Sequence, residues 1–325
     1  MNIQRWIARR EAKWQELDVL LKRAEQRGIK SLCAKEIGTL ASLYRSVAAD
    51  LARANTNQIG QTIIQELQAL TNRGYSQVYR GSRRQEIREM IHFYLWGFPE
   101  ILRQTWAYTA ISFGLFLAGG IIAWWFAWQD VSFMPLIVPQ EMIEKVRDRH
   151  ELWMGSILGT EPFAATSIAI NNISVAFRMV GGGILAGAWT IYALFFNGLL
   201  IGAVATLVGQ NGLAYPFWAF VFPHGALELP AIFIAGSAGL LIARGLLFPG
   251  RYRRIDALRI YGLQAAQLVL GIVPMLLIAG MIEGFFSPQN IIPSPIKYLT
   301  GTALFILLIL YTLRDEKSLN KLSEQ

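Results

Sequence analysis

Apolar and polar positions change rhythm twice along this chain, and each change predicts a different kind of structure. From the N-terminus, Ile3, Ile7, Trp14, Leu17, Leu21 and Ala24 follow one another by threes and fours, with Arg10 interrupting. That spacing predicts an amphipathic helix with a narrow apolar seam. Gly28 supplies its stop. A second helix is predicted after Ser31, carrying Ile37, Leu40, Ala41, Tyr44, Val47, Ala48 and Leu51 on one side. Asn55-Thr56-Asn57 offers a turn and cap before a third, with Ile59, Ile63, Ile64, Leu67 and Leu70. Helices of this kind can share one core. Residues 1–80 are therefore expected to form a small cytosolic helical domain whose charges are mostly solvated faces.

The rhythm shifts over residues 81–104, where Arg83, Arg84 and Arg88 are followed by Ile87, Met90, Ile91, Phe93, Tyr94, Trp96 and Phe98. This predicts a basic juxtamembrane helix with arginines at lipid headgroups and aromatics dipping inward. Beyond Thr105 the apolar runs lengthen. Spans are expected at about 105–128, 163–180, 183–208, 223–247, 261–283 and 297–313, with a polar tail at 314–325. Trp106, Tyr108, Trp124, Trp125 and Trp128 bracket the first as an interfacial belt would. The stretch 163–210 is too long for one crossing and reads as two helices meeting at Gly181-Gly182-Gly183. The stretch 215–248 is also too long, and Pro223 and Pro230 interrupt it. A short re-entrant or interfacial piece at 215–222 is expected there, then a kinked span from His224. Glu283 is expected at the outer interface, solvated. The fold class is all-α: a polytopic bundle of about six spans behind an N-terminal helical domain.

Composition agrees, with 54% hydrophobic and 16% charged residues and a mean hydropathy of +0.36; soluble chains carry about a quarter charged residues. The net charge of +8 could point to nucleic acid, but its distribution excludes that reading. Residues 1–105 hold 17 Lys/Arg against 10 Asp/Glu, and 244–259 hold five against one. Residues 129–162 reverse the balance, three against six. This is the positive-inside asymmetry of a multi-pass membrane protein with both termini on the cytoplasmic side. Arg251, Arg253 and Arg254 join Arg83, Arg84, Arg88 and Trp96 as expected interface residues. The single cysteine, Cys33, excludes an intrachain disulfide and a thiol metal cluster.

Candidate chemistry lies inside the apolar part. His224 and Glu228 stand four residues apart in Phe222–Ala231, so a helix puts them on one face. That face continues through Ala231, Ala235, Gly239 and Ala243, small enough to admit a neighbouring helix. An ionisable pair at membrane depth is a functional-site hypothesis, set against the plainer reading that it only hydrogen-bonds helices together. Asn171, Asn172, Arg178 and Asn197 complete the candidate polar set. Gly183/Gly187 and Gly198/Gly202 match the small-xxx-small pattern. No phosphate-binding loop, metalloprotease motif or nucleophile elbow is present. The three histidines fall in three different predicted environments. No catalytic residue, resident metal or cofactor is expected.

These residues carry a family resemblance. Leu43-Tyr44-Arg45 with Asp50-Leu51, Phe98-Pro99 with Arg103, Asn171-Asn172-Ile173, Asn197-Gly198 with Gly202, and above all His224-Gly225 with Glu228-Leu229 and Ala231 resemble the stage II sporulation protein M (SpoIIM) family. The resemblance implies a polytopic helical protein of the cytoplasmic membrane. In spore formers the named member works with peptidoglycan-degrading partners during engulfment. The N-terminus is longer than in those proteins, so a sporulation role does not follow. The expected function is a membrane scaffold or recruitment component of a cell-envelope complex. The alternative is a transporter or channel for a small solute or ion, using the Asn/His/Glu set. An intramembrane hydrolase with Glu228 as base ranks third. The expected partners are the bilayer, membrane or envelope proteins and, given the small-residue faces, a second copy of the chain.

Overall fold

The computed structural model describes residues 3–157 and 159–314; side chains at 79–85 lie outside the described residues, as do those of a few scattered positions. Arg83, Arg84 and most of the expected polar tail therefore fall outside them. Eleven α-helices and no strand occur among the described residues, and the chain divides into two compact units, 1–92 and 93–325.

The first unit is three helices: α1 (Ile3–Arg27), α2 (Ala34–Thr56) and α3 (Gln61–His92). Gly28 ends α1 in a left-handed conformation, φ 79°, that a side chain would oppose. Cys33 caps α2: its backbone N–H donates to Glu36 at 2.9 Å, one half of a capping box. The core is built from large side chains, with Trp14, Leu17, Leu21, Leu40, Val47 and Leu67 all buried. Asp50 is buried among them. It accepts a hydrogen bond from Trp14 Nε1 at 3.0 Å and pairs with Arg10 at 3.1 Å. Arg73 on α3 reaches α1 twice, donating to both Glu25 oxygens at 2.9 Å and to Asp18 at 2.6 Å. Hydrogen bonds from Lys22 and Arg73 hold the Asp18 carboxyl below its ordinary pKa, and Arg73 does the same for Glu25. The unit reaches residue 92 because α3 runs unbroken for 32 residues, where a domain end near 80 and a separate helix from 81 were expected. Arg88, Ile87, Met90 and Ile91 are exposed on its last turns.

The second unit opens with a π-turn at Phe93–Gly97 and the short α4 (Phe98–Gln104). Six helices then have the length and apolarity to cross a membrane. These are α5 (Trp106–Gln129), α7 (Glu161–Gly181), α8 (Ala188–Gln210), α9 (Ala214–Leu247), α10 (Arg254–Met281) and α11 (Ser294–Thr312). Between α5 and α7 lies the short polar helix α6 (Gln140–Arg147). The expected join at Gly181–Gly183 is a short 3₁₀ turn, Gly182–Leu185, closed by left-handed Ala186 and Gly187.

Backbones approach closely throughout. A Cβ on Gly198 of α8 would sit 1.9 Å from the Phe116 carbonyl oxygen of α5. Gly202 faces Gly120 and Gly119 faces Phe195 across the same seam. Gly280 of α10 and Gly284 of the π-turn that follows it receive Ala169 and Ala165 of α7, and Gly271 of α10 receives the ring of Phe98. With no hydrophobic drive between helices in lipid, such contacts supply the van der Waals attraction that holds them.

One expectation is corrected here. No separate re-entrant piece exists at 215–222, because α9 is a single helix of 34 residues through Pro223 and Pro230. Each proline forfeits one backbone hydrogen bond, while breaking the helix in apolar surroundings would orphan several. α9 is also the hub: 67% of its most apolar window is buried, against 6% for α11.

Candidate functional site

α9 carries His224 and Glu228 on one face, one turn apart. His224 is 5% exposed, and its ring lies edge-on to Phe220 with centroids 5.5 Å apart. Its Nδ1 is 3.3 Å from Ser287 Oγ, with the donor set by the tautomer. Ser287 is itself buried, and its carbonyl accepts from Lys297 Nζ of α11 at 2.6 Å.

α7 presents a buried face of Ala165, Ala169, Asn172 and Ala176, stepping by fours and threes. Asn172 is the polar member of that face and lies beside the Glu228 carboxyl. Asn171, a step round the helix, is exposed but donates to Asn172 Oδ1 at 3.3 Å. The two amides thus lead up to the carboxyl.

The third arm corrects the sequence reading of Glu283. Its side chain is 19% exposed and turns inward, with Oε2 3.8 Å from His224 Nε2. The backbone explains this. After Met281, α10 continues as a π-turn over Ile282–Phe286, closed by the Ser287 N–H donating to the Ile282 carbonyl at 2.8 Å. The extra residue per turn rotates Glu283 toward α9, and Gly284 lets the turn press onto Ala165. His224, Glu228 and Glu283 each bring a ligand-type atom to within 4.8 Å of the others. Glu228 Oε2 is shut off from solvent and has no hydrogen-bond partner. Two carboxylates in such a place require a proton or counter-charge between them.

The remaining candidates do not join this cluster. Asn197 donates to the Ala193 carbonyl of its own helix at 2.7 Å, and Arg178 is exposed. Arg251, Arg253 and Arg254 are exposed on the loop before α10 and its first turn. Trp96 is half-buried beneath the Arg314 guanidinium, 5.8 Å from its ring.

Two cavities border the cluster. One of about 330 Å³ is lined by Phe220, Ser287, Asn290, Ser294 and Lys297. The other, about 630 Å³, is an apolar groove among α5, α9 and α11, passing Gly225, Ala226 and Pro230.

A multi-pass helical membrane protein whose buried polar cluster is gathered by α7, α9 and α10 is the class these features define. The chain belongs to the stage II sporulation protein M (SpoIIM) family, whose model matches residues 112–288 and so spans the whole cluster. A domain of unknown function, DUF8413, matches residues 4–80. An uncharacterised protein of Methanocaldococcus jannaschii is 31% identical over 104 residues, which are 31% of this chain and 55% of that protein. The chain thus spans about half the length of that curated relative. No solved structure matches.

Proposed function

We propose that this SpoIIM-family protein is a non-catalytic scaffold that recruits partners to a cell-envelope complex. In this reading it lies in the plasma membrane with both termini and the Arg251–Arg254 loop on the cytoplasmic face. One observation carries the reading: the N-terminal unit closes its own core and clamps α1 to α3 through Arg73, leaving charged helix faces outward. A preorganised unit of that kind loses little entropy when a partner docks. Blue-native electrophoresis of gently solubilised membranes tests it. The chain is expected in a discrete assembly larger than its purified form, and charge reversals on exposed α2 positions such as Lys35 should disperse that assembly. Migration identical to the purified chain would sink the idea.

A second reading, passage of a small solute or ion, is favoured by the buried His224–Glu228–Glu283 cluster beside a polar cavity. Proteoliposomes holding the purified chain separate the two. Flux that disappears in a folded Glu228→Gln variant would put transport first, whereas tight vesicles leave the scaffold in place.

A further inference from the structure

Hydrogen bonding does not account for the three arms of the cluster. His224 Nε2 and Glu283 Oε2 are 3.8 Å apart, beyond hydrogen-bond reach, and Glu228 Oε2 is buried with no partner at all. Around one tetrahedral metal ion, nitrogen and oxygen ligands bonded at about 2.0–2.2 Å lie roughly 3.4 Å from each other. Here one pair stands 3.8 Å apart and all three ligand atoms lie within 4.8 Å of one another, wider than that edge, so an ion would draw the side chains inward.

The surroundings fit the same ion. A ligating histidine characteristically fixes its ring through its other nitrogen, and His224 Nδ1 stands 3.3 Å from Ser287 Oγ while the ring packs edge-on to Phe220. A ligating carboxylate is characteristically supported by a neighbouring donor, and the Asn171–Asn172 amide pair lies beside Glu228. Two carboxylates and a neutral imidazole carry two negative charges, which one divalent cation balances inside an apolar bundle. The mixed nitrogen and oxygen set favours a first-row transition ion over magnesium or calcium, which prefer oxygen alone. A polar cavity lined by Phe220, Ser287 and Lys297 lies next to the Ser287 side of the cluster.

We propose that His224, Glu228 and Glu283 bind one first-row divalent transition metal ion, which ties the early turns of α9 to the π-turn that closes α10. This inference is independent of the scaffold reading. A bound ion could be structural in a scaffold or resident in a permease.

The test uses the full chain, with any affinity tag removed, stripped by chelator in detergent and titrated with Co²⁺ and then Zn²⁺. One ion per chain is expected, with visible Co²⁺ ligand-field bands that Zn²⁺ abolishes and a melting temperature that Zn²⁺ raises. Glu283→Gln and Glu228→Gln should each weaken binding at least about tenfold, and Asn172→Ala, which disturbs a supporting residue, about tenfold or more. His150→Asn, at an exposed histidine elsewhere, should change nothing. Should a ligand variant fail to fold, the wild-type Co²⁺ spectrum decides alone: no saturable bands in excess Co²⁺ overturn the proposal. Equal binding by wild type and Glu283→Gln overturns it too. So does wild type that binds no ion beside Gln variants of unchanged melting temperature, which would assign the cluster to a shared proton.

Discussion

The two units of this chain solve the packing problem in opposite ways. In residues 1–92, water drives large side chains together, and Trp14, Leu17, Leu21 and Val47 interlock around buried Asp50. In the membrane unit the attraction must come from close approach. Glycine or alanine therefore stands where helices meet, and backbone touches backbone at Gly198–Phe116 and Gly202–Gly120. Polar groups differ in the same way. Arg73, Asp18 and Glu25 form a water-lapped clamp at the edge of their unit, whereas His224, Glu228 and Glu283 are gathered inside theirs. The first unit should forgive small changes at its surface clamp, and the second should tolerate almost nothing at its seams.

Gly198→Leu is the sharpest way to break the comparison. The new side chain would have to displace the Phe116 backbone, and we expect loss of on the order of 3 kcal/mol or more, read as collapse of the monodisperse peak after detergent extraction. An unaltered melting temperature would remove the close-approach account of the α5–α8 seam. Asp50→Ala comes next. Leaving Trp14 Nε1 unpaired and Arg10 without its carboxylate should cost about 2–3 kcal/mol, visible as faster amide hydrogen exchange in α1 and α2 with the spans unaffected.

The Arg73 clamp should contribute less, below about 1 kcal/mol, because all three partners are part-exposed. Its sign with pH follows from the lowered carboxyl values. Asp18 and Glu25 titrate in the folded unit below their ordinary 3.8 and 4.5, so an unfolded chain takes up protons first as pH falls. Their contribution is full above about pH 5 and is lost as pH drops through the folded values. Hydrogen exchange in α1–α3 should quicken in that acid window and depend less on pH in Arg73→Gln. The smallest effect expected is from Arg253→Ala. That residue's pair with Asp256 is largely exposed, so stability should stay within about 0.5 kcal/mol of wild type, read as a nearly unchanged melting temperature.

Much of this architecture was legible from composition and spacing. Hydropathy alone locates six spans, since a run of apolar residues has few other homes. Gly28, Asn57 and the Gly181–Gly183 join acted as punctuation because each marks a local backbone event. What escaped was non-local. Pro223 reads as a break, yet the surrounding bundle keeps α9 helical. Glu283 reads as a solvated end residue, because nothing in its neighbours announces a π-turn or names partners some sixty positions earlier. Asn197 looks like a cavity-lining amide but spends its donor on its own helix. Of the polar set, the i, i+4 pair on α9 was visible in advance, and Asn172 stood among the candidate amides, though its place on the buried face of α7 was not. The third carboxylate was not.

The slender attachment of α11 also has a meaning in time. Synthesis runs from the N-terminus, and the last member of the polar cluster is Glu283, so the nascent chain holds the whole set before α11 leaves the ribosome. α11 arrives afterward, docking Gly301 on Phe222 and Lys297 on the Ser287 carbonyl. In the order of manufacture it is the door hung after the room is furnished.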